Sequence, residues 1–318
     1  MATFKKNKQL QTLHEYCFFV PLKIKKLYLA HFALFLVALF YAGNYSIAKI
    51  AMPEYISPFA FILLRVGSGA VLFGLFFFLF VREKIRSKRD YIDLAICSFF
   101  GIAFNMLAFF KGISLTSPIN ASVLMLLAPV FVVIFSAIGY RKRINPLVIL
   151  GILISFISAG FLVNAGSFNL SNSSIKGDLL VMLNATSFAF YLYYVARLLK
   201  KYKAITVTSY IFMIGFWFVL PVAYSDFTLV EWAKLPNHII WSMVYVVVCV
   251  TLLAYVLNVW AVQNSSSTTA GSYIYLQPLL AGMIAVAMGM DTLTWQKVVF
   301  GLLIVLGLWL VGYGKRRA

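Results

Sequence analysis

Acidic side chains are scarce in this sequence: Asp and Glu together number 9 among 318 residues, against 27 Lys and Arg. Charges of both signs make up 11% of the chain, where a soluble domain carries about 25%. A water-facing surface cannot be built from so few charges, so no separate soluble domain fits. Histidine is equally rare, with three in the chain. No His/Asp/Glu group offers a metal ligand set or a clustered catalytic centre, which argues against a membrane enzyme and against any metal or other cofactor. Cys17, Cys97 and Cys249 are far apart and odd in number, so they build no disulfide framework.

What is present is apolar: 63% hydrophobic residues, 30 of them Phe. Many apolar runs approach the roughly 20 residues that cross a hydrocarbon core. Ten can be placed, over 29–51, 57–81, 92–113, 119–139, 146–165, 177–198, 206–225, 238–262, 268–289 and 296–314. The fold class that follows is an all-α integral membrane protein of ten transmembrane helices. Residues 1–28 form a polar, basic leading segment. Within it QTLHEYCFFVPLK (11–23) is weakly apolar, a piece that either lies on the membrane surface or stays disordered. Tyr28 to Met52 has no convincing cleavage site and reads as an uncleaved first span.

The formal charge of +18 at first suggests nucleic acid, and its distribution excludes that partner. The cations fall in short clusters between apolar runs rather than on one folded surface. With the N-terminus inside, twenty-one of the 27 basic residues lie on one side, the asymmetry of cytoplasmic loops. Both termini are then cytoplasmic and the span number is even. A multi-pass protein of the inner, cytoplasmic membrane follows, with lipid as its surroundings and a weak homodimer left open.

An internal repeat is visible. The segment from Thr116, TSPINASVLMLLAPVF, parallels the one from Ser266, SSTTAGSYIYLQPLLA. Ala121 matches Ala270, Pro129 matches Pro278, and Gly151 and Gly301 each open the span that follows. Each unit has five spans, 29–165 and 177–314. Five is odd, so the two copies must be inverted, the usual basis of alternating access with a site at their interface near mid-membrane.

Four stretches in order also resemble the EamA-type permeases of the drug/metabolite transporter superfamily. In GNYSIAKIAMPEYISPFAFILLR the family pattern falls on Lys49, Ser57, Pro58 and Arg65. In FFKGISLTSPINASVLMLLAPVFVVIF it falls on Thr116, Ala121 and Pro129. GDLLVMLNATSFAFYLYYVARLLKKY is similar to the opening of the family's second half. In LNVWAVQNSSSTTAGSYIYLQPLLAGMIAVAMGMDTLT the pattern falls on Ala261, Ala270, Pro278 and Asp291. The chain departs from the family where Lys142 and Asp291 stand in place of Gly-Glu acids, and Gln277 in place of a Glu before Pro278. The resemblance implies the ten-helix fold and a small organic solute as cargo.

Candidate site residues follow from polar groups inside apolar runs. Arg65 lies eight residues past Ser57, about 12 Å along a helix. A lone cation there must face a cavity, pair or snorkel, and no acid lies deep in a span to pair with it. Lys49 and Lys111 sit toward the same side. They either join Arg65 in an outer vestibule for a carboxylate or anchor their helix ends. Asn44 and Asn258 are candidates for the cavity, whereas Asn105, Asn120 and Asn184 are equally readable as contacts between helices. Tyr191, three residues from Tyr194 on one helix face, and Tyr275 and Gln277 beside Pro278 complete the substrate-binding set. Pro129 and Pro278 are candidate hinges or static kinks. No acid sits mid-span: Asp90, Asp93 and Asp178 are at edges, and His31 is the remaining group for pH sensitivity. Asn172-Ser173-Ser174 matches a glycosylation acceptor.

Together these features predict an alternating-access permease that exports a small metabolite, amino-acid-like or otherwise carboxylate-bearing. Purines or cationic and aromatic drugs are alternative cargo. A channel or receptor is a more distant alternative.

Overall fold

The computed structural model describes residues 2–141, 145–163, 173–265, 269 and 273–316, with side chains from Lys26 onward except those of Tyr140, Val163, Ser173, Lys315 and Arg316. Asn172 of the glycosylation triplet, Lys142 and Ala270 lie outside them. Every regular element among the described residues is helical. That is what lipid demands of a spanning chain, because each backbone N–H and C=O must find its partner within the segment.

Eight helices are long and apolar enough to cross a membrane. They are α1 (Lys26–Ala51), α2 (Pro58–Val81), α3 (Lys88–Leu115), α4 (Pro118–Gly139), α6 (Ser174–Leu199), α7 (Ala204–Thr228), α8 (Asn237–Asn264) and α10 (Trp295–Gly314). Two further apolar helices are shorter: α5 (Pro146–Val163) and α9 (Leu276–Ala287). They take the places of the expected spans 146–165 and 268–289. In the leading segment the helix of the first span extends back without a break to Ala2.

Local sequence explains where helices begin. Ser57-Pro58, Ser117-Pro118 and Asn145-Pro146 each place a capping side chain before a proline. Proline costs nothing in the first turn, where its missing N–H would be an orphan. Ser57 Oγ accepts from Ala60 N, Ser117 Oγ from Asn120 N, and Asn145 Oδ1 from Leu147 N. Arg82 and Arg141 end α2 and α4 in the left-handed region, at φ 47° and 50°.

Three helices contain π turns, at Phe77–Val81, Phe99–Ala103 and Val246–Leu253. Those of α3 and α8 free backbone carbonyls and turn side chains toward neighbours. Ser187 of α6 donates to Phe100 O at 2.6 Å, and Thr251 donates to Val246 O, five residues back, at 3.0 Å. A 3₁₀ turn at Met125–Leu127 breaks α4 just before Pro129, and a turn at Tyr275 precedes Pro278.

The helices pack in definite pairs: α2 on α7, α5 on α10, α3 on α6, α1 on α8 and α9, and α4 on α6 and α9. Lipid tails are as apolar as leucine, so association depends on close backbone approach and on polar contacts. α5 meets α10 at Gly151 and Gly307, where a Cβ on Gly307 would lie 2.6 Å from Gly151 O. α3 and α6 are clasped by a reciprocal amide pair. Asn105 Nδ2 donates to Asn184 O at 3.2 Å and Asn184 Nδ2 to Asn105 O at 2.8 Å. Large apolar side chains such as Phe80, Trp217 and Ile138 are exposed, which makes the exterior lipid-compatible.

Candidate functional site

Arg65 is carried on α2 to the middle of the bundle, where it is 5% exposed. Its Nε donates to Thr251 Oγ1 at 3.0 Å, so the π turn of α8 supplies its acceptor. Its guanidinium lies 5.3 Å above the ring of Phe110 on α3. Among the described residues no carboxylate lies within ion-pair distance of it. Tyr41 of α1 and Tyr255 of α8 lie within electrostatic reach of Arg65, and Tyr191 of α6 within reach of both tyrosines. All three tyrosines are partly buried. Phe73 and Phe212 pack against the Tyr255 ring at 5.6 and 5.8 Å and hold it in place.

This centre can hold an anionic group. A guanidinium presents five donors in a fixed fork, and here Thr251 occupies one. The tyrosine hydroxyls both donate and accept, and their faces suit an apolar or aromatic body.

Lys49 joins a second polar cluster, at the end of the bundle that holds the α1–α2 and α3–α4 connections. Its ammonium donates to Thr116 O. The Thr116 hydroxyl donates to Asp178 Oδ1, and Asn120 Nδ2 donates to Asp178 Oδ2 at 3.2 Å. Asp178, read from sequence as an edge residue, is 1% exposed. Nearby, Asp291 accepts from Ile119 N at 3.2 Å and is ion-paired with Lys297. Burial opposes the charge of Asp291, but hydrogen bonds from Lys297 and Ser117 outweigh it and hold the carboxyl below its ordinary range.

The opposite end is tied between the α2–α3 connection and the α6–α7 turn. Asp90, 2% exposed, pairs with Lys201 at 2.6 Å and accepts from Tyr202 at 2.8 Å. Glu83 accepts from Thr206 Oγ1 at 2.6 Å and from Lys203 N at 3.0 Å. The Thr206 bond is foremost in holding the Glu83 carboxyl below its usual range. A hollow of about 450 Å³ opens at the α1–α2 end, lined by Glu54, Tyr55, Ser57, Asp226 and Glu231 among others. Ser57 donates there to Asp226.

Of the residues expected from sequence, Arg65 and Tyr191 belong to the central constellation. Asn44 is buried at 3% exposure on α1, one turn beyond Tyr41, with its Oδ1 unpartnered. Lys49 lies in the cluster at the α1–α2 end. Lys111 follows Phe110 and extends over the Phe59 ring at 6.0 Å. Asn258 and Tyr275 are exposed and Gln277 is partly so; no contact with the Arg65 group places them in it. Tyr41, Thr251 and Tyr255 were not singled out from sequence. The signal available was helical spacing, since Tyr41 is three residues from Asn44 and Tyr255 three from Asn258.

The family model described as the EamA-like transporter family matches the chain twice, over residues 28–164 and 175–313. An uncharacterized transporter of Archaeoglobus fulgidus is 26% identical over 256 residues, covering 80% of this chain and 87% of its own. The uncharacterized transporter YyaM of Bacillus subtilis is 25% identical over 276 residues, covering 85% and 89%. One solved crystal structure superposes with a TM-score of 0.57 at 17% identity, covering 91% of this chain and 98% of that one, a likeness of fold. Apolar helices, a family match over most of the chain and transporter-named relatives converge on one conclusion: this is an integral membrane transporter rather than an enzyme, and it belongs to the EamA-like transporter family.

Proposed function

We propose that the chain is an alternating-access permease that exports a small carboxylate-bearing metabolite, amino-acid-like in chemistry, across the cytoplasmic membrane. The observation that carries this reading is the buried Arg65, which has no carboxylate partner among the described residues and is neighboured by Thr251, Tyr41 and Tyr255, with Tyr191 within reach of the two tyrosines. A buried charge needs compensation. A cargo carboxylate supplies it, while the tyrosines accommodate the rest of the solute. The aromatic lining favours purines as the second reading.

Ten spans in two inverted halves, 29–165 and 177–314, provide the machinery. Support comes from the ends of the short α9. His31 Nδ1 and Tyr273 Oη lie 3.0 Å apart at the α2–α3 end, and Asp291 meets Ile119 N at the α1–α2 end. The chain thus runs from end to end across α9. The packing pairs also exchange into one another when α1–α5 are swapped for α6–α10: α1 on α8 becomes α6 on α3, and α1 on α9 becomes α6 on α4. With an odd number of helices per half, such a two-fold relation inverts one half against the other. The charge asymmetry puts both termini and the α2–α3 end in the cytoplasm. Pro129 and Pro278, each just past a break in its helix, serve as hinges.

Counterflow in liposomes, screened with amino acids, organic acids, purines and cationic drugs, tests the cargo. Saturable exchange of an anionic or zwitterionic solute is expected. Exchange of cations alone would contradict the reading, and exchange of neutral purines alone would select the alternative.

A further inference from the structure

The cluster around Asp178 is not used by the site at Arg65, and its geometry supplies a function of its own. We propose that the Asp178 carboxyl group is a proton-binding site whose protonation from the outer solution unlocks the α1–α2 end of the bundle. The inference rests on the alternating-access reading and adds the ion that drives it.

Both carboxyl oxygens are held by neutral donors, the Thr116 hydroxyl and the Asn120 amide. Lys49 donates to a backbone carbonyl and Lys297 to Asp291, so neither cation is bonded to Asp178. A carboxylate held this way changes protonation state more readily than one in a direct ion pair. The neutral form also has an acceptor ready. Asn120 Oδ1 is buried without a partner, and a flip of that amide presents it to a hydrogen on Asp178 Oδ2. Only a proton moves: it leaves the outer water and forms an O–H bond, and no electron transfer is involved.

Among the described residues the charged groups around Asp178 come from few places, and Lys176, two residues back on α6, is exposed. α1 contributes Lys49, α10 contributes Lys297, and the α9–α10 connection contributes Asp291. α3 and α4 contribute the neutral Thr116 and Asn120, and Lys111 of α3 points instead to Phe59. α5 carries no charged residue, and the acid of α7, Asp226, is bonded to Ser57. With Asp178 ionised the cluster has two cations and two carboxylates. Protonation leaves Lys49 and Lys297 sharing Asp291 alone. Repulsion then loosens the grip of α1 and the α3–α4 turn on α6. Asp291 keeps its charge in weak acid because its carboxyl is held below the ordinary range, so the switch is not assigned to it. At the matching place of the other end, described residues show the contact between His31 and Tyr273, with Asn264 and Ser265 bonded back to their own helix. No ion pair locks that place among the described residues.

The test is a distance measurement between spin labels at Tyr55→Cys and Leu293→Cys, both exposed at the α1–α2 end. The labels are placed in the full chain with its native cysteines replaced, in lipid nanodiscs without cargo. A short distance is expected to dominate at about pH 7.5, with a longer-distance population growing several-fold by about pH 5, because taking a carboxylate out of water favours its uncharged form. Asp178→Asn should show the longer distance at both pH values, and His238→Gln should respond as the parent does. A pH-independent parent, or a parent-like response in Asp178→Asn, overturns the proposal. Should Asp178→Asn fail to fold, Asp178→Glu decides, since an unmoved midpoint excludes this carboxyl as the titrating group. A responsive distance with silent counterflow would refute the cargo reading alone; active counterflow with an unresponsive distance would refute the proton site alone.

Discussion

A guanidinium inside a membrane protein persists where its hydrogen bonds are satisfied and its charge has a purpose. Arg65 meets the first condition through Thr251 Oγ1 and the Phe110 face, and a cargo carboxylate would meet the second. Thr251→Val keeps the side-chain shape and removes the acceptor. It is expected to raise the half-saturation concentration for cargo by about tenfold to a hundredfold, since a hydrogen bond to a charged group contributes roughly 1.5–3 kcal/mol. Arg65→Lys keeps the charge but loses the planar fork, and a comparable loss in counterflow rate is expected. Arg65 was legible in the sequence because a cation in an apolar run stands out. Tyr41, Thr251 and Tyr255 were not, because they come from two other helices and blend into runs already rich in aromatics and hydroxyls. The π register at 246–253 further shifts Thr251 away from the face that 3.6-residue spacing assigns it. Burial of Asp178 was equally hidden, because position near a helix end says nothing of what the neighbouring helices cover.

Among elements, the tightest demands fall on α5 with α10 and on α3 with α6. On Gly307→Ala the new Cβ would stand 2.3 Å from Ser155 Oγ and 2.6 Å from Gly151 O. Backbone cannot give way as a side chain can, so a loss of about 1–3 kcal/mol is expected, read as earlier thermal unfolding in detergent; Gly160→Ala, where nothing lies within 4 Å, should be silent. The Asn105–Asn184 clasp is expected to show a coupling energy of about 0.6 kcal/mol, and no more than about 1.7, in a double-mutant cycle. Helix starts at Ser57-Pro58 and Ser117-Pro118 were readable from sequence, because cap chemistry is local. The end of α9 at Ala287 was not, since hydropathy alone does not mark where a helix stops.

At the scale of the molecule, the scarce acids concentrate at the bundle's two ends. Asp178 and Asp291 tie one end; Glu83 and Asp90 tie the other. Glu83 has its folded-state pKa lowered, chiefly by the Thr206 bond. Its contribution to stability is therefore fully present above its ordinary pKa of about 4.3 and is lost as pH falls through the lowered value. Glu83→Gln should flatten that acid-side loss in a melting series without changing the neutral-pH fold. The proposed orientation predicts that epitope tags at both termini are protected in intact cells and become accessible after permeabilisation. The central claim is that cargo carboxylate meets Arg65 beside Thr251, Tyr41 and Tyr255. Its most direct test is the initial rate of counterflow for an exchanged carboxylate-bearing solute, compared between the parent and Arg65→Ala at matched amounts of folded protein in liposomes. The account predicts saturable exchange in the parent and near-complete loss in Arg65→Ala. Equal rates in the two would contradict it.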